Sequence, residues 1–265
     1  LFSAYDHFIN VAQHPFNERL ARFCSEQAHW VQDYALFCAI KNTYNGVAWS
    51  EWPAALRDRD PEALKAFSDQ QQLLINYFLF EQCVFFAQWQ RVRTHAHHKN
   101  IRILGDIPIF VAWDSADVWA NRDMFLLDDT GKPSVIAGVP PDYFSQEGQR
   151  WGNPLYHWQA LSETGFHWWK ARLQHALSLY DLVRIDHFRG FCACWEIPAT
   201  ALTAKEGRWV EVLGRALLST LQKELGELPI IAEDLGVITD DVIALRDDFS
   251  LPGMSILQFA FDGSA

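Results

Sequence analysis

Residues 181–191 read DLVRIDHFRGF, and this run combines the pattern of a buried strand with a cluster of ionisable side chains. Val183 and Ile185 are apolar, while Arg184 and Asp186 alternate with them. Because successive side chains of a strand point to opposite faces, we predict that Arg184 and Asp186 share one face and that Val183 and Ile185 pack on the other. The charged face therefore requires a role other than filling a core.

The flanking sequence repeats an order of strand and helix. Strands are predicted at 101–112, 182–188, 228–236 and 255–261, with helices at about 163–179, 207–225 and 239–247 between them. This alternation is typical of a parallel sheet. Charged residues lie at the C-terminal ends of two of the strands, as Asp186-His187 and Glu233-Asp234. We predict a TIM (β/α)8-type barrel, in which functional groups gather at the carboxyl ends of the strands. Only four strands are visible, so the chain is expected to be the central part of a longer barrel.

The chain is predicted to have two parts. Residues 1–100 are expected to form a mainly helical subdomain or insertion, with one long helix over 61–99 that begins after Asp60. Residues 101–265 are expected to be the central part of the barrel. They include a segment, 113–158, that is dense in Gly, Pro and Asp and is predicted to be a long functional loop.

Composition limits the partners. The chain has 22 basic and 33 acidic residues, a net charge of −11, which argues against nucleic acid and anionic membranes as partners. No run of ~18 apolar residues is present, so no transmembrane helix is predicted. The odd count of five cysteines is typical of free thiols in a reducing compartment, which favours the cytoplasm. The twelve tryptophans suit either sugar binding or core packing.

Two carboxyl groups on successive strands indicate acid–base chemistry. Asp186 is expected to remain ionised beside Arg184, as a nucleophile or an electrostatic stabiliser must, although a structural ion pair is the alternative. Glu233 follows the apolar run 228–232, and these surroundings together with a charged Asp186 favour its protonated form. One charged and one protonated carboxyl group is the division of labour of glycoside chemistry. A helix cap is the alternative role for Glu233.

Other polar and aromatic residues leave alternatives open. Asp106 is expected either to bind a sugar hydroxyl or to orient Arg184. Tyr143, Phe144 and Trp151 in the predicted loop could stack on sugar rings or pack the loop itself.

A metal site is the other interpretation of these acids. Asp186, His187, Glu233 and Asp234 are all possible ligands, but no His-x-x-x-His, Cys pair or Asp-x-Asp motif supports a metal site there. We therefore predict no metal and no other cofactor.

Five motifs, in this order along the chain, resemble amylomaltase, the bacterial 4-α-glucanotransferase, which is similar to the plant disproportionating enzyme and related to the α-amylase superfamily. They are GDIPIFVAWDSADVW (105–119), GVPPDYFSQEGQRWGNPLYHW (138–158), VRIDHFRGF (183–191), IIAEDLG (230–236) and GMSILQFAFD (253–262). The resemblance implies a (β/α)8 barrel and a retaining double displacement on α-1,4-glucans and maltooligosaccharides without a metal.

The resemblance also implies residue roles. Asp186 would be the nucleophile and Glu233 the general acid/base, while Arg184 would orient the nucleophile and His187 and Asp106 would bind sugar hydroxyls. Further sugar contacts would come from Asp142, Tyr143, Phe144, Gln149, Trp151, Asn153 and Phe259.

The chain also departs from the pattern of the family. The family's third catalytic acid, in a His-Asp pair on a later strand, has no counterpart before Ala265, and the first barrel strands are missing. We therefore expect a fragment that covers roughly the third to sixth strands. An α-amylase-type hydrolase and a non-catalytic glucan-binding fragment remain the alternative functions.

Overall fold

The computed structural model describes residues 1–11, 14–143 and 145–261, except for the side chain of Phe259. The chain forms two compact units. The first consists of Leu1–His95, Asp114–Arg122 and Asp129–Lys132, and the second consists of Ala96–Trp113, Asp123–Asp128 and the chain from Pro133 onward. Two segments of the predicted loop 113–158 thus belong to the first unit.

The first unit is helical. Its helices are α1 (Phe2–Ile9), α2 (Phe16–Glu26), α3 (Val31–Thr43), α4 (Ala54–Arg57), α5 (Pro61–Gln70), the long α6 (Gln72–His98) and α7 (Ala116–Ala120). The start predicted after Asp60 is confirmed, because its side chain accepts a hydrogen bond from the Ala63 N–H. The prediction of one helix over 61–99 is wrong: the chain leaves the helical conformation at Gln71 (φ −109°, ψ 22°), where no Gly or Pro signals a break.

Many of the tryptophans fill cores. Trp49, Trp119 and Trp169 are among the largest fully buried side chains of the described residues. In the first unit, Trp52 and Trp119 meet edge to face with ring centroids 5.6 Å apart. The abundance of Trp therefore reflects packing at these positions.

The second unit contains two sheets. Its strands are β1 (Leu104–Pro108), β2 (Val135–Val139), β3 (Gln149–Pro154), β4 (Leu182–Asp186), β5 (Ala193–Pro198), β6 (Arg208–Glu211) and β7 (Ile230–Ala232). Its remaining helices are α8 (Trp158–Glu163), α9 (His167–Leu179), α10 (Gly214–Leu225) and α11 (Asp240–Asp248). The order β1-β4-β7 forms a parallel sheet, and β3-β2-β5-β6 forms an antiparallel sheet.

The alternation predicted for β4 is confirmed. Val183 and Ile185 are buried, whereas Arg184 and Asp186 are partly exposed on the opposite face. In the parallel register, Val183 pairs with Gly105 of β1, and Arg184 pairs with Asp106. The polar residues of β1 and β4 therefore share one face of the sheet.

Three predictions about secondary structure are wrong. The segment 113–158 is not one loop, because it contains β2 and β3, which pair with each other through a hairpin. The helix predicted from residue 207 begins at Gly214, since the aromatic and β-branched residues before it form β6. The run 255–261 is not a strand: it ends in the 3-10 helix Leu257–Phe261, and an alternating pattern alone does not supply a neighbouring strand to pair with.

The fold is thus α/β, with three parallel strands among the described residues in place of the four that were predicted. Each of these strands is followed by helical segments, and all three carboxyl ends lie at one edge of the sheet. That edge carries the polar residues of the candidate site.

Candidate active site

A charged row crosses the end of the parallel sheet. The Arg184 guanidinium makes two hydrogen bonds to Asp106, from Nε to Oδ1 at 2.9 Å and from Nη2 to Oδ2 at 2.7 Å. Its Nη2 also donates to Asp186 Oδ1 at 2.9 Å. The hydrogen bond to Asp106 is the largest cause of the raised pKa of Arg184. A permanently charged Arg184 therefore holds both carboxylates in place.

The carboxylates of this row are open to solvent. The side chain of Asp186 is 47% exposed and that of Asp106 is 57% exposed. An ion pair this exposed stabilises the fold by about 0–1 kcal/mol. Stability alone therefore gives little reason to place these groups here, and the row has an accessible nucleophilic oxygen at its end.

Glu233 leaves the neighbouring strand at the same level as Asp186. Ile185 pairs with Ala232, so Asp186 and Glu233 are the next residues of two parallel strands. Neighbouring strands lie ~4.8 Å apart. The charge of Glu233 also contributes to the raised pKa of Arg184, which places both acids within the field of one cation.

Two backbone groups hold the Glu233 carboxyl group. Its Oε2 accepts a hydrogen bond from the His187 N–H at 2.8 Å, and its Oε1 accepts one from the Leu235 N–H at 3.1 Å. The alternative of a helix cap is not found, because α11 begins after Thr239 and not at Glu233. The contacts instead connect Glu233 to the turn that follows Asp186.

His187 is neutral and faces aromatic rings. Its backbone is left-handed (φ 56°), and its ring meets Trp151 edge to face at 4.8 Å between centroids. Burial, together with the positive charge of Arg189, lowers the pKa of His187 to about 4. Its Nε2 is buried and has no hydrogen-bond partner among the described residues. The ring is thus neutral at pH 7, and this buried nitrogen receives no hydrogen bond from the described residues.

The other predicted contacts are distributed along β3 and the turn before it. Asp142 Oδ1 accepts from the Ser145 N–H at 2.7 Å, which shapes that turn. Trp151 Nε1 donates to Gln149 Oε1 at 3.0 Å, and Asn153 Nδ2 donates to a backbone carbonyl after β1. The structure brings Trp151 to His187.

Three predicted sugar contacts remain, namely Tyr143, Phe144 and Phe259. Tyr143 is almost fully exposed in the turn before β3. Phe144 and the side chain of Phe259 lie outside the described residues.

Sequence reasoning missed a group that fixes the end of β1. Arg172 of α9 donates to the carbonyl oxygens of Pro108 (2.6 Å) and Ile109 (3.1 Å). Tyr156 OH donates to the same Ile109 oxygen at 2.6 Å, and Phe110 then packs beside Tyr156. Arg172 carries no local signal for this role, because the carbonyl groups that it binds lie more than 60 residues away.

A metal site is not present in the part of the chain that the structure describes. No group of three or more His, Cys, Asp or Glu side chains there is placed to hold an ion. Asp234, one of the possible ligands, is instead bound by Arg246 at 2.6 Å and by the Met254 N–H at 2.7 Å. Within the same residues, no helix combines the length and apolarity needed to cross a membrane.

Comparison with known proteins identifies the family of this chain. The sequence model of the 4-alpha-glucanotransferase family matches residues 1–265. The chain belongs to this family. It is 52% identical to the 4-alpha-glucanotransferase of Thermus thermophilus over 262 residues and 48% identical to that of Synechocystis sp. over 264, covering 99% of the chain and 52% of the relative in both cases. It is also 48% identical to the chloroplastic/amyloplastic enzyme DPE1 of Arabidopsis thaliana, covering 89% of the chain and 41% of the relative.

Solved structures of family members have the same fold. An amylomaltase from Streptococcus agalactiae in complex with acarbose superposes with a TM-score of 0.91 at 40% identity, covering 95% of this chain and 51% of the other. An amylomaltase from Corynebacterium glutamicum gives a TM-score of 0.75 at 22% identity, covering 100% of this chain and 35% of the other, which shows the fold alone. The resemblance to amylomaltase is therefore confirmed, and the chain spans about half the length of the curated relatives it matches most fully.

Proposed function

We propose that the full-length protein is a 4-α-glucanotransferase that moves α-1,4-glucan segments between maltooligosaccharides and releases glucose. The observation that carries this proposal is the placement of Asp186, held by Arg184, beside Glu233 at the ends of neighbouring parallel strands. Retaining glycosidases hold their two carboxyl groups ~5–5.5 Å apart, and adjacent strands ~4.8 Å apart suit that separation.

The first step forms a covalent intermediate. An Asp186 oxygen attacks the anomeric carbon of the donor, while Glu233 gives its proton to the glycosidic oxygen that leaves. Both Glu233 oxygens accept one backbone hydrogen bond, and a carboxyl group with about four lone-pair positions still has room for that proton. The hydrogen bond from Arg184 holds the Asp186 carboxyl group towards the reacting carbon.

The second step returns the enzyme to its starting state. Glu233 takes a proton from a hydroxyl group of the acceptor sugar, whose oxygen attacks the same carbon and releases Asp186. Two displacements retain the configuration of the linkage. A glucan product forms when the acceptor is a sugar, and hydrolysis occurs when it is water.

The surrounding residues are proposed to bind the sugar rings. The partly exposed His187 ring and the exposed Asp106 are proposed to bind hydroxyl groups, and Trp151 is proposed to offer an aromatic face. The turn before β3 and the residues along it are proposed to cover the acceptor and to exclude water, which favours transfer. This group consists of Asp142, Tyr143, Phe144, Gln149 and Asn153, and we add Phe259 by its motif.

The finer points of fold and location belong to the same proposal. We infer that β1, β4 and β7 are successive strands of a (β/α)8 barrel, that residues 1–100 are a helical insertion and that 101–265 are its central part. All five cysteines are free, which supports a reducing compartment such as the cytoplasm. The chemistry needs neither a metal nor another cofactor.

Product analysis tests this function. The full-length protein is incubated with maltotriose, and the sugars are separated by chain length. Longer maltodextrins together with glucose are expected. Maltose and glucose without longer products would show an α-amylase-type hydrolase instead, and unchanged maltotriose that still binds would show a glucan-binding protein without catalysis.

A further inference from the structure

Arg189 is a buried cation that connects the segments following the two strands that carry the proposed acids. It lies in the 3-10 turn Phe188–Phe191 directly after β4, and only 9% of it is exposed. Its Nη1 donates to the backbone carbonyl of Val237 at 2.8 Å and to Thr239 Oγ1 at 3.3 Å. Because both acceptors follow Glu233 in the chain, Arg189 ties the turn after β4 to the segment after β7.

The contacts of Arg189 need the shape of a guanidinium group. Its plane lies over the indole of Trp209, with 3.9 Å between the guanidinium carbon and the ring centroid. Its Nε is buried and has no hydrogen-bond partner among the described residues. A buried charge held by a carbonyl, a hydroxyl and a ring face is costly, and a lysine cannot reproduce the flat fork that meets all three. We therefore expect Arg189 to position the chain segments that it contacts and not to add to the stability of the fold.

The same two segments orient Glu233. One carboxyl oxygen accepts the His187 N–H from the β4 turn, and the other accepts the Leu235 N–H from the segment that Arg189 holds. The Phe188 N–H also donates to the Glu233 carbonyl at 3.1 Å. A shift of residues 235–239 away from the β4 turn would therefore rotate or release the Glu233 carboxyl group.

We propose that Arg189 is a positioning residue for Glu233, which sets the direction of its carboxyl group by joining the β4 turn to residues 235–239. This inference rests on the proposed role of Glu233 as acid/base. A misplacement of ~1 Å at a reacting group can lower a rate by ~100-fold, so the effect of losing the tie is measurable.

Two donors separate the placement of Glu233 from general damage to the site. With maltotriose, the C–O bond breaks as the leaving oxygen receives the proton of Glu233. With α-maltosyl fluoride, fluoride leaves with the bonding electron pair and needs no proton. Azide then attacks the anomeric carbon and displaces the Asp186 carboxylate, so this step needs no base either.

The test measures kcat and KM for both donors in the full-length protein. Arg189→Gln is expected to lower kcat for maltotriose by ~30-fold with KM changed less than ~3-fold, and to change kcat for the fluoride with azide by less than ~3-fold. Arg189→Lys keeps the charge but not the fork and is expected to show the same donor dependence. The matched control is Arg208→Gln on β6, an arginine whose side chain is 76% exposed and pairs with Glu196, and it should not change kcat for either donor.

Two results would overturn the inference: a loss below about fivefold for maltotriose, or an equal loss with both donors. Circular dichroism establishes which variants fold. If Arg189→Gln does not fold, the inference is judged from Arg189→Lys by the same limits. If neither variant folds, it is judged from the donor dependence of Thr239→Val. The proposed function fails separately, if the wild-type protein transfers no glucan or if Glu233→Gln loses activity equally with both donors.

Discussion

Two arginine–carboxylate clusters in the second unit differ in exposure. Arg184 holds Asp106 and Asp186 on the open face of the parallel sheet, where both carboxylates are about half exposed. Arg246 of α11 instead holds Asp234, whose side chain is only 7% exposed and also accepts the Met254 N–H. The same pairing of residue types thus leaves two carboxylates open to solvent in one place and fastens a loop in the other.

The contrast is sharpest between neighbours in the chain. Glu233 and Asp234 are consecutive, yet Glu233 accepts backbone hydrogen bonds at the open edge of the sheet, while Asp234 is fastened by a buried ion pair. Removal of each one should therefore have a different consequence. Loss of Glu233, the proposed acid/base, is expected to change the chemistry, and loss of the buried, paired Asp234 leaves the charge of Arg246 without its partner.

The largest effect is expected at Asp186. Asp186→Asn removes the nucleophile, so kcat for maltotriose in the full-length protein should fall by ~1,000-fold or more. The thermal midpoint should change by less than ~2 °C, because the pair with Arg184 is exposed. Activity within about tenfold of the wild-type value would contradict the role of this residue.

The buried cluster should respond in the opposite way. Asp234→Asn is expected to lower the free energy of unfolding by ~2–4 kcal/mol, since Arg246 loses its buried partner. The control is Asp247→Asn, which removes a 58% exposed partner of the same arginine and should cost less than ~1 kcal/mol. Urea unfolding of the full-length protein measures both, and equal losses would show that burial does not separate the two pairs.

The pH dependence of stability tests the burial of the uncharged His187 ring. Its folded pKa of about 4 lies below the ordinary 6.5, so between these values the unfolded chain binds a proton that the folded chain does not. Stability should be complete above pH 6.5 and decrease as the pH falls towards 4, by about 2 kcal/mol at pH 4.5. His187→Asn, which tolerates the left-handed backbone, should lack this part of the decrease in urea unfolding. Parallel pH curves would contradict it.

The smallest effect on kcat is expected when the shape of the Arg184 cation is changed. Arg184→Lys retains a positive charge but cannot bind Asp106 with two hydrogen bonds while also reaching Asp186, so kcat should fall ~10-fold. Arg208→Lys, at a 76% exposed arginine that pairs with Glu196, serves as the control and should not change kcat. Equal activity of both variants would mean that charge alone is sufficient at position 184.

The parallel sheet and its charged row could be predicted because their signals are local. Arg184 and Asp186 alternate with Val183 and Ile185 within one strand, and this spacing alone assigns them to one face. The approach of Asp106 follows from the register of two parallel strands. The antiparallel sheet could not be predicted in the same way, since β5 and β6 are recognised only when they pair, as Trp195 does with Trp209.

The contacts around Glu233 lay beyond sequence reasoning for a related reason. The N–H that binds its Oε2 belongs to His187, 46 residues earlier in the chain. The left-handed backbone of His187 directs this N–H towards Glu233, and no Gly or Asn at that position indicates such a conformation in the sequence. Arg189 reads as one more polar residue of a charged run until its buried contacts are known. Side chains that act through distant backbone groups therefore require the structure.

The pairing of Ile185 with Ala232 has a consequence for how this protein can change over time. Between these residues the chain builds two antiparallel strands and a helix, and additions or deletions there leave the ends of β4 and β7 in place. One residue gained or lost inside β4 would instead turn Asp186 towards the helices and Ile185 towards the polar face of the sheet. Evolution and engineering can thus vary the number of residues that connect the two strands, but within β4 only a change by an even number of residues keeps Asp186 on the polar face.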